Sequence, residues 1–174
     1  MTDSHDVDVV GDDSGCAASL PRLRCRISSD LDTMQSLHEA YGWVPGRENI
    51  RPSAATLQRK QETMARNGHE FDVDEWSHDM FGVSWSQALA GNAVKKYHFV
   101  PNPFPYDIPR GTHHSVLWFP TEKAMPDHVV NATLEKAVDK LGGTEFVWYI
   151  NPKMTVQAIW HVQVFWRMPS PSPQ

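Results

Sequence analysis

The stretch PNPFPYDIPRGTHHSVLW, residues 101–118, sets the architecture because it joins a rigid extended segment to a strand. Four of the chain's thirteen prolines fall within it. Proline stops a helix and pushes the residue before it toward extended backbone. Arg110-Gly111 is typical of a turn. From Ser115 an apolar run indicates a strand, which Pro120 ends.

The segments around this stretch predict a sheet interrupted by one helix. Tyr97–Val100 and Ser115–Phe119 are rich in aromatic and β-branched residues, which favours strands. Apolar residues recur at helical spacing over 126–141. Two further strands are predicted over 145–150 and 158–168. Short turns within each strand pair favour antiparallel pairing, so the fold class is α+β with a mostly antiparallel sheet.

The part of the chain before the sheet reads as helical. Apolar spacing and capping residues predict helices over 30–41, 54–66 and 74–81, and a short one over 84–91. Few apolar residues lie in the second of these, which predicts a surface helix. The order is therefore helices first, then strand, strand, helix, strand, strand.

The length of 174 residues and the apolar fraction of 40% predict one globular domain, over residues 30–168. Residues 1–29 read as a disordered acidic tail followed by a basic arm. In that arm, arginines alternate with apolar residues over 22–27, which fits either a short edge strand or a solvated arm, and we prefer the arm. Residues 169–174 are predicted to be a disordered Pro/Ser tail.

Composition argues against several classes of protein. A net charge of −5 and a pI of about 5.9 argue against general nucleic-acid binding. Cys16 and Cys25 form no CxxC pair, which argues against a disulfide scaffold or a cysteine-based zinc site. The acidic N-terminus lacks the apolar run of a secretory signal, and no apolar stretch is long enough for a membrane span. We expect a soluble, cytoplasmic protein.

Histidines on the predicted strands are the candidates for chemistry. His161 and Gln163 share one face of the last strand, where a core would favour apolar residues, so burying them requires partners. His113 and His114 are adjacent and point to opposite faces of their strand. His114 is preferred for the site because Trp118 lies on its face, the predicted core side.

A pocket between the strand of His114 and the strand of His161 is the resulting prediction, with these two residues as the catalytic pair. The candidate ligand-binding residues are Asn151, Gln163, Arg110, Tyr106 and Asn102. Arg110 fits two interpretations, a bidentate anion ligand or a solvated turn residue.

Two chemistries fit the predicted pocket. In one, a neutral imidazole acts as nucleophile or base at phosphorus or carbonyl, with Arg110 or Lys153 balancing charge. In the other, His114, His161 and a carboxylate such as Asp107 hold a metal ion, although no H-E-x-x-H spacing supports it. The sequence does not indicate which cofactor, if any, the protein uses.

Residues 102–118 resemble the signature of a family of unknown function whose named fungal members are the N-acetylglucosamine-induced proteins. The matching positions are Asn102, Phe104, Pro105, Tyr106, Gly111, His114 and Trp118. Asn151-Pro152 and Trp160-His161 also look like this family, and the likeness covers roughly residues 30–168. Arg110 stands outside the pattern. The resemblance implies a shared fold and brings no established activity.

The element order is also similar to that of the histidine-triad superfamily, whose transferase branch carries His-x-His-x-Gln. Here Ile159-Trp160-His161-Val162-Gln163 has isoleucine in place of the first histidine. In one register the resemblance implies that His161 is the nucleophile at an α-phosphate. In the other, Gln163 replaces the nucleophile and the site only binds.

The function expected from these observations is binding of a phosphorylated or otherwise anionic small molecule, such as a nucleotide or sugar nucleotide, with histidine-dependent hydrolysis or transfer if the site is catalytic. Two alternatives remain open. A non-enzymatic module would use the seven tryptophans and the proline-rich loop to bind a protein partner. A metal-dependent enzyme would use histidine and carboxylate ligands.

Overall fold

A computed structural model describes the chain over residues 24–26, 52–66, 72–108, 110–151, 154 and 156–169. The predicted helix over 30–41, most of the N-terminal tail and the C-terminal tail after Pro169 lie outside these residues. Among the helices that the structure describes, none is long and apolar enough to cross a membrane.

The described strands form one sheet. They are β1 (Arg24–Arg26), β2 (His98–Pro101), β3 (Thr112–Trp118), β4 (Glu145–Tyr149) and β5 (His161–Arg167). Their order across the sheet is β1-β4-β5-β3-β2. β1 runs parallel to β4, and the other three neighbouring pairs are antiparallel. The predicted α+β class with a mostly antiparallel sheet is confirmed.

The described helices are α1 (Ala54–Arg66), α2 (Val73–Phe81), α3 (Trp85–Gln87) and α4 (Asp127–Lys140), with a π-helical turn over Ala88–Asn92 after α3. α1 has the predicted bounds, and α2 begins one residue earlier than predicted. α4 ends one residue before the predicted Leu141, and Gly142 follows with φ +80°, a conformation that favours glycine.

One face of the sheet packs against α4. Its apolar stripe (Val130, Leu134 and Val138) is buried against Phe146 and Trp148 of β4 and the alternate residues of β5. Trp148 also donates a hydrogen bond of 2.7 Å from Nε1 to Asn131 Oδ1 on the helix. This layer forms the larger core and carries no histidine of β3 or β5 other than the exposed His113 at its margin.

The opposite face of the sheet is covered by α2, α3 and the loop after β2. Met80, Phe81 and Trp85 form a second cluster with Val116 and Trp118 of β3. Side chains on this face include His114, Gln163 and His161, and we call it the histidine face. The sheet is therefore buried on both sides, and the candidate residues lie under the thinner layer.

α2 is firmly fixed at both ends. Asp72 caps its N-terminus by accepting hydrogen bonds from the backbone N–H groups of Asp74 and Glu75. Gly82 ends it in the left-handed region with φ +79°. The Asp74 carboxylate then accepts a 2.7 Å bond from the backbone N–H of Trp85, which ties α2 to α3.

The start of β5 differs from the prediction. The strand begins at His161 rather than at Ala158, because Trp160 is already bonded elsewhere. Its N–H donates to the carbonyl of Thr121 at 2.8 Å, and its carbonyl accepts from Phe119 N–H at 3.1 Å. The residues before His161 therefore pair with the chain that leaves β3.

Of the two interpretations of the basic arm, the edge strand is correct for Arg24–Arg26. The backbone of these residues pairs in parallel with Phe146–Trp148. The preferred interpretation, a solvated arm, does not hold for them, because the exposed edge of β4 offers unpaired backbone groups to an extended neighbour.

Candidate functional site

β3, which carries His114, and β5, which carries His161, are hydrogen-bonded neighbours, so no gap separates these two strands. The pairing places His114 beside Phe165, and His161 beside Trp118. Both histidines do point to the histidine face, as the alternation predicted. His113 lies exposed on the other face and stacks on Trp166 with ring centroids 4.2 Å apart.

His114 is held by hydrogen bonds at both ring nitrogens. The backbone N–H of Tyr106 donates to Nδ1 at 3.1 Å. Nδ1 is therefore the unprotonated nitrogen, and Nε2 carries the proton that it donates to Gln163 Oε1 at 2.7 Å. The ring is 5% exposed and packs against Phe165 at a centroid distance of 4.4 Å. Both nitrogens are thus engaged, and His114 fixes structure.

Asn102 completes this network. Its Oδ1 accepts from the N–H of Phe104 at 2.8 Å, which closes a local turn. Its amide nitrogen donates to Gln163 Oε1 at 3.2 Å. Gln163 Oε1 therefore accepts from both His114 and Asn102. These bonds attach the proline-rich loop to the sheet.

Tyr106 extends the network to β4. The hydroxyl of Tyr149 donates to the hydroxyl of Tyr106 at 3.1 Å. Burial, reinforced by the neighbouring Tyr106, raises the pKa of Tyr149. Tyr149 is therefore a neutral donor at every physiological pH. Of the predicted ligand-binding residues, Asn102, Tyr106 and Gln163 are brought together with His114.

His161 occupies a different environment from His114. Its Nδ1 lies 2.9 Å from the carbonyl oxygen of Ile159, so Nδ1 carries the proton and donates it. Its ring lies against the indole of Trp118 with centroids 4.1 Å apart. In the described part of the chain Nε2 has no hydrogen-bond partner, and it is not among the fully enclosed polar atoms. His161 thus presents one unoccupied lone pair.

Burial lowers the pKa of both histidines. That of His114 falls to about 4, although its bond to Gln163 opposes the shift. That of His161 is also lowered by burial, and the bond to the Ile159 carbonyl opposes it. Both rings are therefore neutral at pH 7. A neutral imidazole with a free lone pair is the form that acts as base, nucleophile or metal ligand.

The structure does not bring His114 and His161 together as a catalytic pair. His161 is four residues from the cross-strand partner of His114, which corresponds to about 13 Å along the strands. Two groups that far apart cannot act on one atom. The same separation rules out a metal ion shared by the two, and no group of three or more potential ligands exists among the residues that the structure describes.

Other predicted residues have separate positions. Arg110 is exposed at the turn before β3, at the opposite end of that strand from the partner of His161, so it does not belong to the same site. Asp107 is exposed on the loop. Asn151 follows β4 by two residues and lies beyond the last β4–β5 pair, Tyr149–Gln163. Lys153 lies outside the described residues.

One pocket on the histidine face includes residues that the sequence did not single out. It has a volume of about 210 Å³, and Trp76, Asp79 and His98 line it together with Trp118. The spacing of Trp76, Asp79 and Met80 on one side of α2 was the available signal. The position of His98 in the pocket follows from the β2–β3 register, which pairs His98 with Trp118.

Comparison with known proteins gives no family for this chain. No protein-family model matches it, and no curated protein matches it. A solved structure, the crystal structure of HTC1, is similar at a TM-score of 0.47 and 20% sequence identity, over 80% of this chain and 85% of that chain. This likeness is too distant to bear on the fold or the site.

Proposed function

We propose that the chain binds a phosphorylated or otherwise anionic small molecule at His161, and that His161 Nε2 acts there as nucleophile or base. The observation that carries the proposal is the bond from Nδ1 to the Ile159 carbonyl. It fixes the tautomer and the ring orientation, and it leaves Nε2 unprotonated. An adjacent acceptor that orients an imidazole in this way is a recurring device of catalytic histidines.

A candidate hydrogen-bond donor lies on the same strand face as this lone pair. Gln163 follows His161 by two residues on the same face, about 7 Å along the strand. Its oxygen is occupied by His114 and Asn102. Its amide nitrogen has no partner in the described part of the chain and is not fully enclosed. The network around His114 thus orients Gln163 so that its N–H₂ group is available to a ligand oxygen.

The chemistry that fits is displacement at phosphorus. The Nε2 lone pair would form an N–P bond while the P–O bond to the leaving group breaks and its electron pair stays on the leaving oxygen. Water would then cleave the N–P bond and return the free imidazole. Gln163 and Asn151, which the sequence predicted to bind ligand, would donate to the non-bridging oxygens. The element order and the Ile159-x-His161-x-Gln163 pattern resemble the histidine-triad proteins in the register that makes His161 the nucleophile.

Thermal denaturation with a panel of nucleotides and sugar phosphates tests this proposal. A ligand present at 100 times its Kd stabilises the native state by about 2.7 kcal/mol. We expect stabilisation of the native protein that is lost in His161→Asn. In that variant the asparagine amide can still donate to the Ile159 carbonyl, but the Nε2 lone pair is gone.

His113→Asn is the matched control, because His113 is exposed on the other face of the same sheet. It should respond to ligand as the native protein does. An equal response in His161→Asn, with the fold intact by circular dichroism, would place the ligand elsewhere and refute the role of His161.

A further inference from the structure

The 210 Å³ pocket has walls from two layers of the protein. Trp76 and Met80 of α2 form one side. Val100, Val116 and Trp118 of the sheet form the other. Both layers belong to the second core cluster, in which Met80 is 6% exposed and Val116 is 4% exposed. The pocket is therefore a gap between well-packed elements.

Two indole rings meet at this pocket almost at right angles. The centroids of Trp76 and Trp118 are 5.6 Å apart, and their planes are inclined by 75°. In this edge-to-face pair Trp76 is the more exposed ring, at 39% against 8% for Trp118, and both indoles line the pocket. The negative face of an indole attracts cations more strongly than that of any other side-chain ring.

The charge on the pocket wall has the sign that suits a cation. Asp79 is exposed at the wall and makes no hydrogen bond or ion pair within the described part of the chain. His98, also in the wall, has its pKa lowered by partial burial and by Lys95, so it is neutral at pH 7. Lys95 itself is exposed and does not line the pocket. Asp79 is thus the charged group among the lining residues.

The pocket does not depend on a ligand for its shape. The Asp72 cap, the left-handed Gly82 and the bond from Trp85 N–H to Asp74 hold α2 in place. Trp118 is fixed from its other side by the ring of His161. Preformed walls reduce the ordering cost of binding.

We propose that this pocket binds a compact organic cation, a quaternary or fully alkylated ammonium group. At roughly 30 Å³ for each heavy group, a trimethylammonium head occupies on the order of 120 Å³. The pocket therefore accommodates the head and the start of a linker. Alkylated ammonium suits an aromatic corner better than a primary amine, because it carries its charge without a tightly held hydration shell. This proposal does not rest on the proposed role of His161.

Calorimetric titration with choline and with its uncharged carbon isostere, dimethylbutanol, tests the proposal. The two ligands have the same shape, so any difference reports the charge. We expect choline to bind roughly tenfold tighter than the alcohol. Asp79→Asn should weaken choline roughly threefold or more and leave the alcohol unchanged. Trp76→Leu, at a side chain that is 39% exposed, should remove most of the preference for choline.

Glu122→Gln is the control for the loss of one negative charge, because Glu122 is exposed on the loop after β3 and does not line the pocket. It should bind choline as the native protein does. Equal affinity for choline and dimethylbutanol, or no choline binding at millimolar concentration, would overturn the proposal. So would unchanged choline affinity in Asp79→Asn.

Discussion

Two buried histidines on one sheet face differ in which ring nitrogen carries the proton. At His114 the backbone N–H of Tyr106 donates a hydrogen bond to Nδ1, so Nε2 carries the proton and donates it to Gln163. At His161 the Ile159 carbonyl accepts a hydrogen bond from Nδ1, so Nδ1 carries the proton. Both ring nitrogens of His114 are therefore hydrogen-bonded, whereas His161 keeps a lone pair, although the sequence predicted both as catalytic residues.

Alternation along a strand was sufficient to predict which histidine of the pair at 113–114 is buried. It could not predict the separation of His114 from His161. That distance depends on how β3 and β5 align, and the alignment is set by backbone pairing and by contacts from other elements. Nor could it reveal the tautomers, which depend on Tyr106 and Ile159 backbone groups.

The state of His114 predicts a fall in stability at mildly acidic pH. Its pKa is about 4 in the folded protein, against an ordinary value of 6.5 in the unfolded chain. Between these values the unfolded chain binds more protons than the native state. The contribution of neutral His114 to the free energy of unfolding is thus fully present above pH 6.5. About 3 kcal/mol of it is lost as the pH falls toward 4.

Urea unfolding between pH 4 and pH 7 measures this effect, with His114→Leu as the comparison. The variant should be less stable than the native protein at pH 7, because it leaves the Tyr106 N–H without its acceptor. It should also show a shallower dependence on pH. Parallel pH profiles for the two proteins would show that His114 is not protonated on unfolding.

At the scale of elements, local patterns predicted the helices better than the strand ends. α1 begins after the capping residue Ser53 and α4 carries an apolar stripe, and the bounds of both agree with prediction within one residue. β5 starts three residues late because Trp160 bonds to Thr121, a partner that no local pattern reveals. The edge strand β1 likewise depends on its pairing with β4.

The turn after α4 is tightly packed at Gly143. A β-carbon there would lie 2.8 Å from a ring carbon of Trp166 and would collide with Val138. Since Trp166 and Val138 are buried core residues, neither can easily move. We expect Gly143→Ala to destabilise the protein by about 1–3 kcal/mol in urea unfolding.

Gly142→Asn is the comparison for that variant. Gly142 has φ +80° and open space around its α-carbon, and asparagine tolerates this conformation. Gly142→Asn should lower the free energy of unfolding by less than about 1 kcal/mol. If Gly143→Ala proved as mild, the contact between this turn and the core would be looser than the structure indicates.

Across the whole molecule, the two faces of the sheet have different roles. The face under α4 is largely apolar, with Ser115 accepting a hydrogen bond from Trp166, and forms the larger core. The histidine face combines an apolar cluster, a polar network that ties down the proline-rich loop, the lone pair of His161 and the aromatic pocket. The stretch at residues 101–118 supplies most of that network, so its role is to build the histidine face and to orient the buried Gln163.

The tautomer and ligand response of His161 can be read directly by nitrogen-15 NMR of histidine-labelled protein at pH 7, titrated with the nucleotide and sugar-phosphate panel. We predict an unprotonated Nε2 and a protonated Nδ1 at His161, an Nε2 resonance that shifts on addition of ligand, and an unchanged His114. A His161 that is protonated at Nε2, or whose Nε2 resonance is unmoved by every anion in the panel, would contradict the proposed site.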